Sequence, residues 1–303
     1  MQPPENSTNV RASGQSWLNY GLGVIAALKP EAAAALVAEL FLAAPPRRTS
    51  SGPELALLET ATRTEIEFEG ERLPVYRFGT GPAVLLVHGW GGSSGQLHPF
   101  IQPLLARGLS AVAFDAPGHG LATGTWLAIP RFASSIVHVA HHVGPLHAII
   151  AHSMGGAAAA FAMSLGLQTK RAVFIGPPAS EYDFFRQWFA TLGLPENILP
   201  LAKQRVIDRV GVTFERLRPQ PIAADVRWPL LVIHDRDDRE VPYVDGAEIA
   251  AAAPNGQLLT TQGLGHRRIL RDPRVIQASL DFVADPLAHK GSSQLSASNP
   301  ALL

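Results

Sequence analysis

Cysteine is absent from all 303 residues, which excludes disulfides, thiolate metal sites and a cysteine nucleophile. Neither sign of charge is in surplus, since 25 lysines and arginines balance 25 aspartates and glutamates. There is then no basic excess to hold a phosphate backbone, so nucleic-acid binding is unsupported, and no acidic bias of the kind that keeps a chain solvated and unfolded. No uninterrupted apolar run reaches the ~18 residues of a membrane span. The run from Trp17 to Leu28 is broken by Asn19, Tyr20 and two glycines and is closed by Lys29-Pro30-Glu31, with no clear small-residue cleavage site after it. Stable membrane insertion is therefore not expected, and the chain reads as cytoplasmic. Export, or peripheral membrane association through residues 17–44, is the alternative.

What is present is apolar bulk. With 47% hydrophobic and 17% charged residues, the chain can bury a sizeable core in one large domain or two small ones. Residues 1–60 read as an N-terminal extension: a loose polar leader, then a helix from Glu31 to Leu42 that follows Pro30 and stops at Pro45-Pro46. Gly21-Leu22-Gly23-Val24-Ile25-Ala26 has the spacing of a dinucleotide-binding turn, but no strand-like run precedes it, so it reads as a helix entry.

From Thr64 the pattern turns to short strands. Thr64–Glu69 and Leu73–Phe78, joined at Gly70-Glu71, suit an antiparallel hairpin at a sheet edge. The apolar runs Ala83–Val87, Ser110–Phe114, Leu146–Ala151 and Arg171–Ile175 then alternate with segments long enough for helices, which predicts a mostly parallel sheet covered on both faces. Alternation lapses between Pro177 and Pro229, where Phe184, Phe185, Trp188 and Phe189 stand at helical spacing. We read residues 179–226 as a helical lid inserted between the two parts of a core, 61–178 and 227–285. Its aromatic stripe packs the lid onto the body, lines a pocket, or does both. The strands Leu230–His234 and Leu258–Thr261 flank a helix and precede a last helix from about Pro273 to Ala284, and residues 286–303 are serine-containing and read as a disordered tail.

The most informative stretch is Ile149-Ile150-Ala151-His152-Ser153-Met154-Gly155-Gly156. An apolar strand meets a serine flanked two residues away by small residues and enters an alanine-rich helix. That pattern describes a nucleophile elbow, in which a strained turn lifts the Ser153 hydroxyl above the sheet edge and aims the backbone N–H of Met154, at a helix N-terminus, toward any negative charge that forms beside it. A serine hydroxyl also needs a base within hydrogen-bond reach and a carboxylate to orient that base.

These residues resemble the α/β-hydrolase superfamily, whose usual G-x-S-x-G is altered here by Ala151 at the first glycine. The resemblance extends to His88-Gly89-Trp90-Gly91-Gly92, similar to the superfamily's H-G-x oxyanion loop, and to Asp115-Ala116-Pro117-Gly118-His119-Gly120, similar to its D-x-P-G-x-G turn. It also covers Asp238-Arg239-Glu240-Val241-Pro242, similar to its D-x-x-V-P acid turn, and Gly263-Leu264-Gly265-His266, which follows the last strand where the base is expected. The resemblance implies a serine hydrolase with an inserted helical lid that needs no cofactor and no metal and acts on a small-molecule ester or thioester. Ser153 would be the nucleophile, His266 the base and Asp238 its orienting acid, with Asp235 and Asp237 as competitors for that last role. The backbone N–H groups of Trp90 and Met154 would form the oxyanion hole. A non-catalytic binding protein on the same fold, or a perhydrolase or acyltransferase, is the alternative. His88 and His152 are expected to shape loops. His138, His141 and His142 are expected on a solvated helix face. Arg236, Arg239, Arg267 and Arg268 are expected in surface ion pairs, with receipt of a substrate carboxylate as the competing role. Oligomeric state is left open.

Overall fold

The computed structural model describes residues 19–47, 51–225 and 228–284; the leader and the C-terminal tail expected from the sequence lie outside them. The N-terminal part is helical. Residues 19–28 form α1, Pro30–Leu42 form α2 and Gly52–Leu58 form α3. Pro30 occupies the first turn of α2, where its missing N–H costs nothing, and alanines carry the helix until Ala43 turns extended. A capping box between Ser51 and Glu54 starts α3.

A single eight-stranded sheet follows: β1 (Thr62–Phe68), β2 (Glu71–Phe78), β3 (Ala83–Val87), β4 (Ser110–Phe114), β5 (Leu146–His152), β6 (Ala172–Ile175), β7 (Leu230–Asp235) and β8 (Gly256–Thr261). Its spatial order is β1-β2-β4-β3-β5-β6-β7-β8. β1 and β2 pair antiparallel, as do β2 and β4, and all other pairs are parallel. The intervening helices are α4 (His98–Ala106), α5 (Ile129–Val143), α6 (Met154–Ser164), α7 (Glu181–Ala190), α8 (Ile198–Val210), α9 (Pro219–Asp225), α10 (Tyr243–Ala252), a single turn α11 (Gly265–Arg268) and α12 (Pro273–Ala284).

Successive side chains on a strand point to opposite faces, and the central strands use this to feed two cores. Leu85, Val112, Ile149, Phe174 and Val232 pack with α5, α6, α9 and α10 on one face. Val84, Ala113, Ile150, Val173 and Ile233 pack with α4 and α12 on the other. Strands buried on both faces must be apolar throughout, and β3 and β4 are buried at every position. A third cluster stands apart: Leu22 and Ala26 of α1 and Val37 and Leu42 of α2 pack against Phe185, Phe189, Ala202 and Val206 of the helical insertion between β6 and β7. No helix among the described residues is long and apolar enough to cross a membrane.

Candidate active site

In a parallel sheet the carboxyl ends of the strands lie along one edge, and the loops that leave β3, β5, β6, β7 and β8 meet there. Ser153 sits between β5 and α6 with φ 54° and ψ −129°. Apart from glycines, only Glu69 shares a positive φ among the described residues. Such a conformation costs about 1–3 kcal/mol and persists only where surrounding structure enforces it. Here the Ser153 N–H donates to Ile175 O at 2.9 Å, and Ser153 O accepts from the Gly156 N–H at 2.8 Å. Gly155 is required at the turn, because a Cβ there would lie 2.3 Å from His88 O. Ala151, at the motif's altered glycine, is fully buried in the sheet.

The structure brings Ser153, His266 and Asp238 into one hydrogen-bonded chain. His266 Nε2 lies 2.9 Å from Ser153 Oγ, and its Nδ1 lies 2.7 Å from Asp238 Oδ2. The other Asp238 oxygen accepts from the Glu240 and Val241 N–H groups at 2.8 and 2.9 Å, and His234 Nε2 approaches Oδ2 at 3.5 Å. Burial pushes the Asp238 carboxyl upward, but the hydrogen bonds from His234, His266 and the Val241 N–H outweigh it and hold the carboxyl well below the usual range.

Asp235 and Asp237 stand elsewhere. Asp235 is fully buried, and its two oxygens accept from the N–H groups of Asp237, Leu264 and Gly265 and from the Thr261 hydroxyl, at 2.7–3.1 Å. Burial opposes ionisation there too, yet those four donors lower the carboxyl below its ordinary value. Asp235 thus ties the acid loop to the histidine loop. Asp237 accepts from the Gly263 N–H.

The glycine-rich loop after β3 is held by two side chains. His88 Nδ1–H donates to Gly89 O at 2.8 Å, while its Nε2 accepts from the Ala116 N–H at 3.0 Å. That pairing fixes the neutral tautomer, and burial lowers the His88 pKa to about 4. Gln96 Oε1 accepts the Gly89 N–H at 2.8 Å, which removes that donor from the cavity. Asp115 accepts from the Ser94 and Leu121 N–H groups and so couples the D-x-P-G-x-G turn to the same loop. His152 Nε2–H donates to His266 O at 2.9 Å, and the two rings lie 4.6 Å apart.

A cavity of about 680 Å³ opens above Ser153 and His266, and Trp90 and Met154 line it. The arginines divide. Arg267 forms a two-pronged pair with Glu240 at 2.9 and 3.2 Å, whereas Arg268 donates to Leu264 O and Gly263 O. Arg236 lies over the Tyr243 ring at 5.0 Å. Of the helix-face histidines, His138 packs against Phe68, and among the described residues no group of His, Asp or Glu is placed to hold a metal ion.

Several contributors leave little or no trace in the sequence. Gly176, with φ +58°, leaves room for the His266 ring, since a Cβ there would come within 3.3 Å of it. Its one signal is a glycine at the end of an apolar strand. His234, Gln96 and Asp235 carry no recognisable spacing. Phe41 and Glu54, from the N-terminal helices, also line the cavity, as does Glu181, whose carboxyl burial pushes up to about 7.

Residues 84–278 match the model of an alpha/beta hydrolase family. A pimeloyl-[acyl-carrier protein] methyl ester esterase from Xylella fastidiosa is 31% identical over 253 residues, an overlap of 68% of this chain and 96% of that protein. The protein of the same name from Xanthomonas campestris is 27% identical over 250 residues, with the same shares. Among solved structures, an esterase from Pyrococcus furiosus superposes with a TM-score of 0.59 at 19% identity, over 80% of this chain and 97% of that one; at that identity the likeness concerns the fold. With the motifs in order along the sheet edge and the family model spanning most of the core, the chain belongs to the alpha/beta hydrolase family.

Proposed function

We propose that the protein is a serine hydrolase that cleaves carboxylic esters, or thioesters, through an acyl-enzyme on Ser153. The observation that carries this reading is the continuous hydrogen-bonded chain from Ser153 Oγ through His266 to the buried Asp238 carboxylate, at the floor of a cavity large enough for a drug-sized ligand. The names of the relatives point to the same bond type.

Ser153 Oγ attacks the substrate carbonyl carbon while His266 Nε2 takes the hydroxyl proton. Asp238 keeps Nδ1 protonated, so that Nε2 is the free acceptor, and its negative charge stabilises the imidazolium that forms. The backbone N–H groups of Trp90 and Met154 receive the tetrahedral oxyanion, each worth about 3 kcal/mol of barrier. His266 then returns its proton to the departing alkoxide or thiolate, which leaves as the alcohol or thiol. Water attacks the acyl-enzyme carbonyl and gives a proton to Nε2; the tetrahedral intermediate collapses, the bond to Ser153 Oγ breaks, Oγ takes that proton back from Nε2, and the acid leaves. The helical insertion acts as a lid that shields this sequence of steps from bulk solvent.

The test is hydrolysis of p-nitrophenyl esters of increasing acyl length by wild type and by Ser153→Ala. The reading expects turnover that Ser153→Ala reduces by at least about a thousandfold. Turnover that survives the substitution would contradict it.

A further inference from the structure

The helices that precede the family-matched region do more than pack on the outside. α2 ends in a strap of residues 42–47 that crosses both loops flanking the candidate nucleophile. Leu42 O accepts the Leu127 N–H at 2.9 Å, the Ala44 N–H donates to Thr125 O at 2.8 Å, and Ala43 and Trp126 form an antiparallel bridge between them. Farther along, Ala44 packs so closely on Gly118 that a Cβ there would lie 2.5 Å from its methyl, and Pro45 faces Gly91 of the oxyanion loop. Arg47 Nη2 donates to Ala122 O at 3.2 Å.

Phe41, which precedes this pairing, and Leu127, which takes part in it, both line the cavity above Ser153. The Phe41 ring is held on its far side by the helical insertion: its centroid lies 4.7 Å from that of Phe185 in an edge-on contact, 5.4 Å from Trp188 and 6.2 Å from Phe184. An ion pair between Glu31 and Arg205 at 2.9 Å joins α2 to α8 as well. Phe41 is thus clamped between two elements, and with Phe184, Leu127, Ile129 and Met154 it gives the cavity an apolar side. Charged groups line it as well: Arg267, Arg268 and Arg271 come from the segment that follows β8, and Glu54 of α3 and Glu181 and Asp183 of α7 also border the cavity.

We propose that the N-terminal helices build the acyl-binding wall of the active site, with Phe41 as a specificity-determining residue that selects esters of a medium-length hydrocarbon acyl group. The inference rests on the hydrolase reading above and adds to it the origin and chemistry of the substrate pocket. A cavity of about 680 Å³ far exceeds the needs of an acetyl group. Apolar surface on one side gains affinity only when methylenes are laid against it, at a roughly constant increment for each. Because Phe41 belongs to a segment outside the family match, relatives without that segment would line this side of the pocket with other residues.

The experiment uses the full chain, because α1 and α2 share a core with the insertion. The first readout is the ratio of kcat/KM for p-nitrophenyl octanoate to that for p-nitrophenyl acetate, in wild type, Phe41→Ala and Phe41→Leu. The second is octanoate affinity in a Ser153→Ala background, read from quenching of tryptophan emission, which needs no turnover. Loss of contact with two methylenes predicts a ratio about tenfold lower in Phe41→Ala, a fall of about threefold in Phe41→Leu, and parallel weakening of octanoate binding. Circular dichroism checks that each variant is folded, and Phe41→Leu carries the test if Phe41→Ala is not. If wild type turns over no ester yet octanoate binding weakens as described, the hydrolase reading falls and the wall stands. If wild type does not bind octanoate, or if the ratio and the affinity in folded variants stay within about twofold of wild type, the wall is overturned.

Discussion

Replacement of Asp238 by Asn removes one charge and almost no volume, and the surrounding donors dictate how the new amide must lie. Oδ1 accepts two backbone N–H groups, from Glu240 and Val241. An amide at this position must keep its oxygen there, since the flipped amide would set an NH₂ against two donors. The NH₂ is then forced into the place of Oδ2, 2.7 Å from His266 Nδ1. Facing a donor, Nδ1 becomes the acceptor and the imidazole proton moves to Nε2, which points at Ser153 Oγ 2.9 Å away. A base in that tautomer cannot take the hydroxyl proton, and the stabilisation of the imidazolium is lost with the charge. Loss of this function in a Ser-His-Asp system costs about 10⁴ in kcat, or roughly 5.5 kcal/mol of barrier. Stopped-flow and steady-state hydrolysis of p-nitrophenyl butyrate by Asp238→Asn should show that fall in kcat with little change in KM. The control is Asp235→Asn, which presents an NH₂ to a carboxylate site filled by four donors. It should lower the unfolding free energy by about 2–3 kcal/mol and kcat far less. An Asp238→Asn enzyme within tenfold of wild type, with Asp235→Asn the slower of the two, would refute the reasoning and move the acid to Asp235.

Two further perturbations probe the elbow and its surroundings. Gly155→Ala drives a methyl to within 2.3 Å of His88 O and 3.0 Å of Val87 O, so urea denaturation should show a loss of about 1–3 kcal/mol, typical of overpacking against atoms that cannot move aside. His88 stays neutral when folded because burial lowers its pKa from 6.5 to about 4. The unfolded chain takes up a proton as pH falls through 6.5 while the folded chain does not until about 4, so the contribution of His88 is full above 6.5 and decays across that window. In His88→Gln the stability gap to wild type should therefore narrow between pH 6.5 and 4, by about 3 kcal/mol in all. A gap independent of pH in urea titrations would show that His88 titrates alike in both states.

The central sheet was legible because its strands are buried on both faces and so leave unbroken apolar runs. Ala83–Val87 and Ser110–Phe114 coincide with β3 and β4. The elbow was legible for a related reason: a strained serine beside a closely packed helix tolerates only small neighbours, and Gly155 is small because His88 O leaves no space for more. The edge strand β8 begins at Gly256, two residues before the apolar run that signalled it, because an exposed edge places no demand on Gln257. Helices α3 and α9, seven residues each, are too short to display a period. Residues 21–26, read as a helix entry, lie within a full helix over residues 19–28, where the burial of Leu22 and Ala26 offsets the backbone cost of the two glycines. The contacts hardest to see were those made by tertiary approach alone. Nothing near Phe41 in the chain refers to Ser153, and nothing near Asp235 distinguishes a brace from an acid; both placements arise from segments separated by many residues. The arginines illustrate the same limit: Arg267 makes the expected ion pair with Glu240, whereas Arg236 lies over a ring and Arg268 donates to carbonyls.

The most direct measurement is reaction of the pure protein with a fluorophosphonate, followed by proteolysis and mass spectrometry of the adduct. A serine activated by His266 should carry the phosphonyl group on the peptide that contains Ser153, with labelling abolished in Ser153→Ala and slowed at least about a hundredfold in His266→Ala. An unmodified Ser153 peptide in folded wild type, or an adduct on another residue, would contradict the assignment.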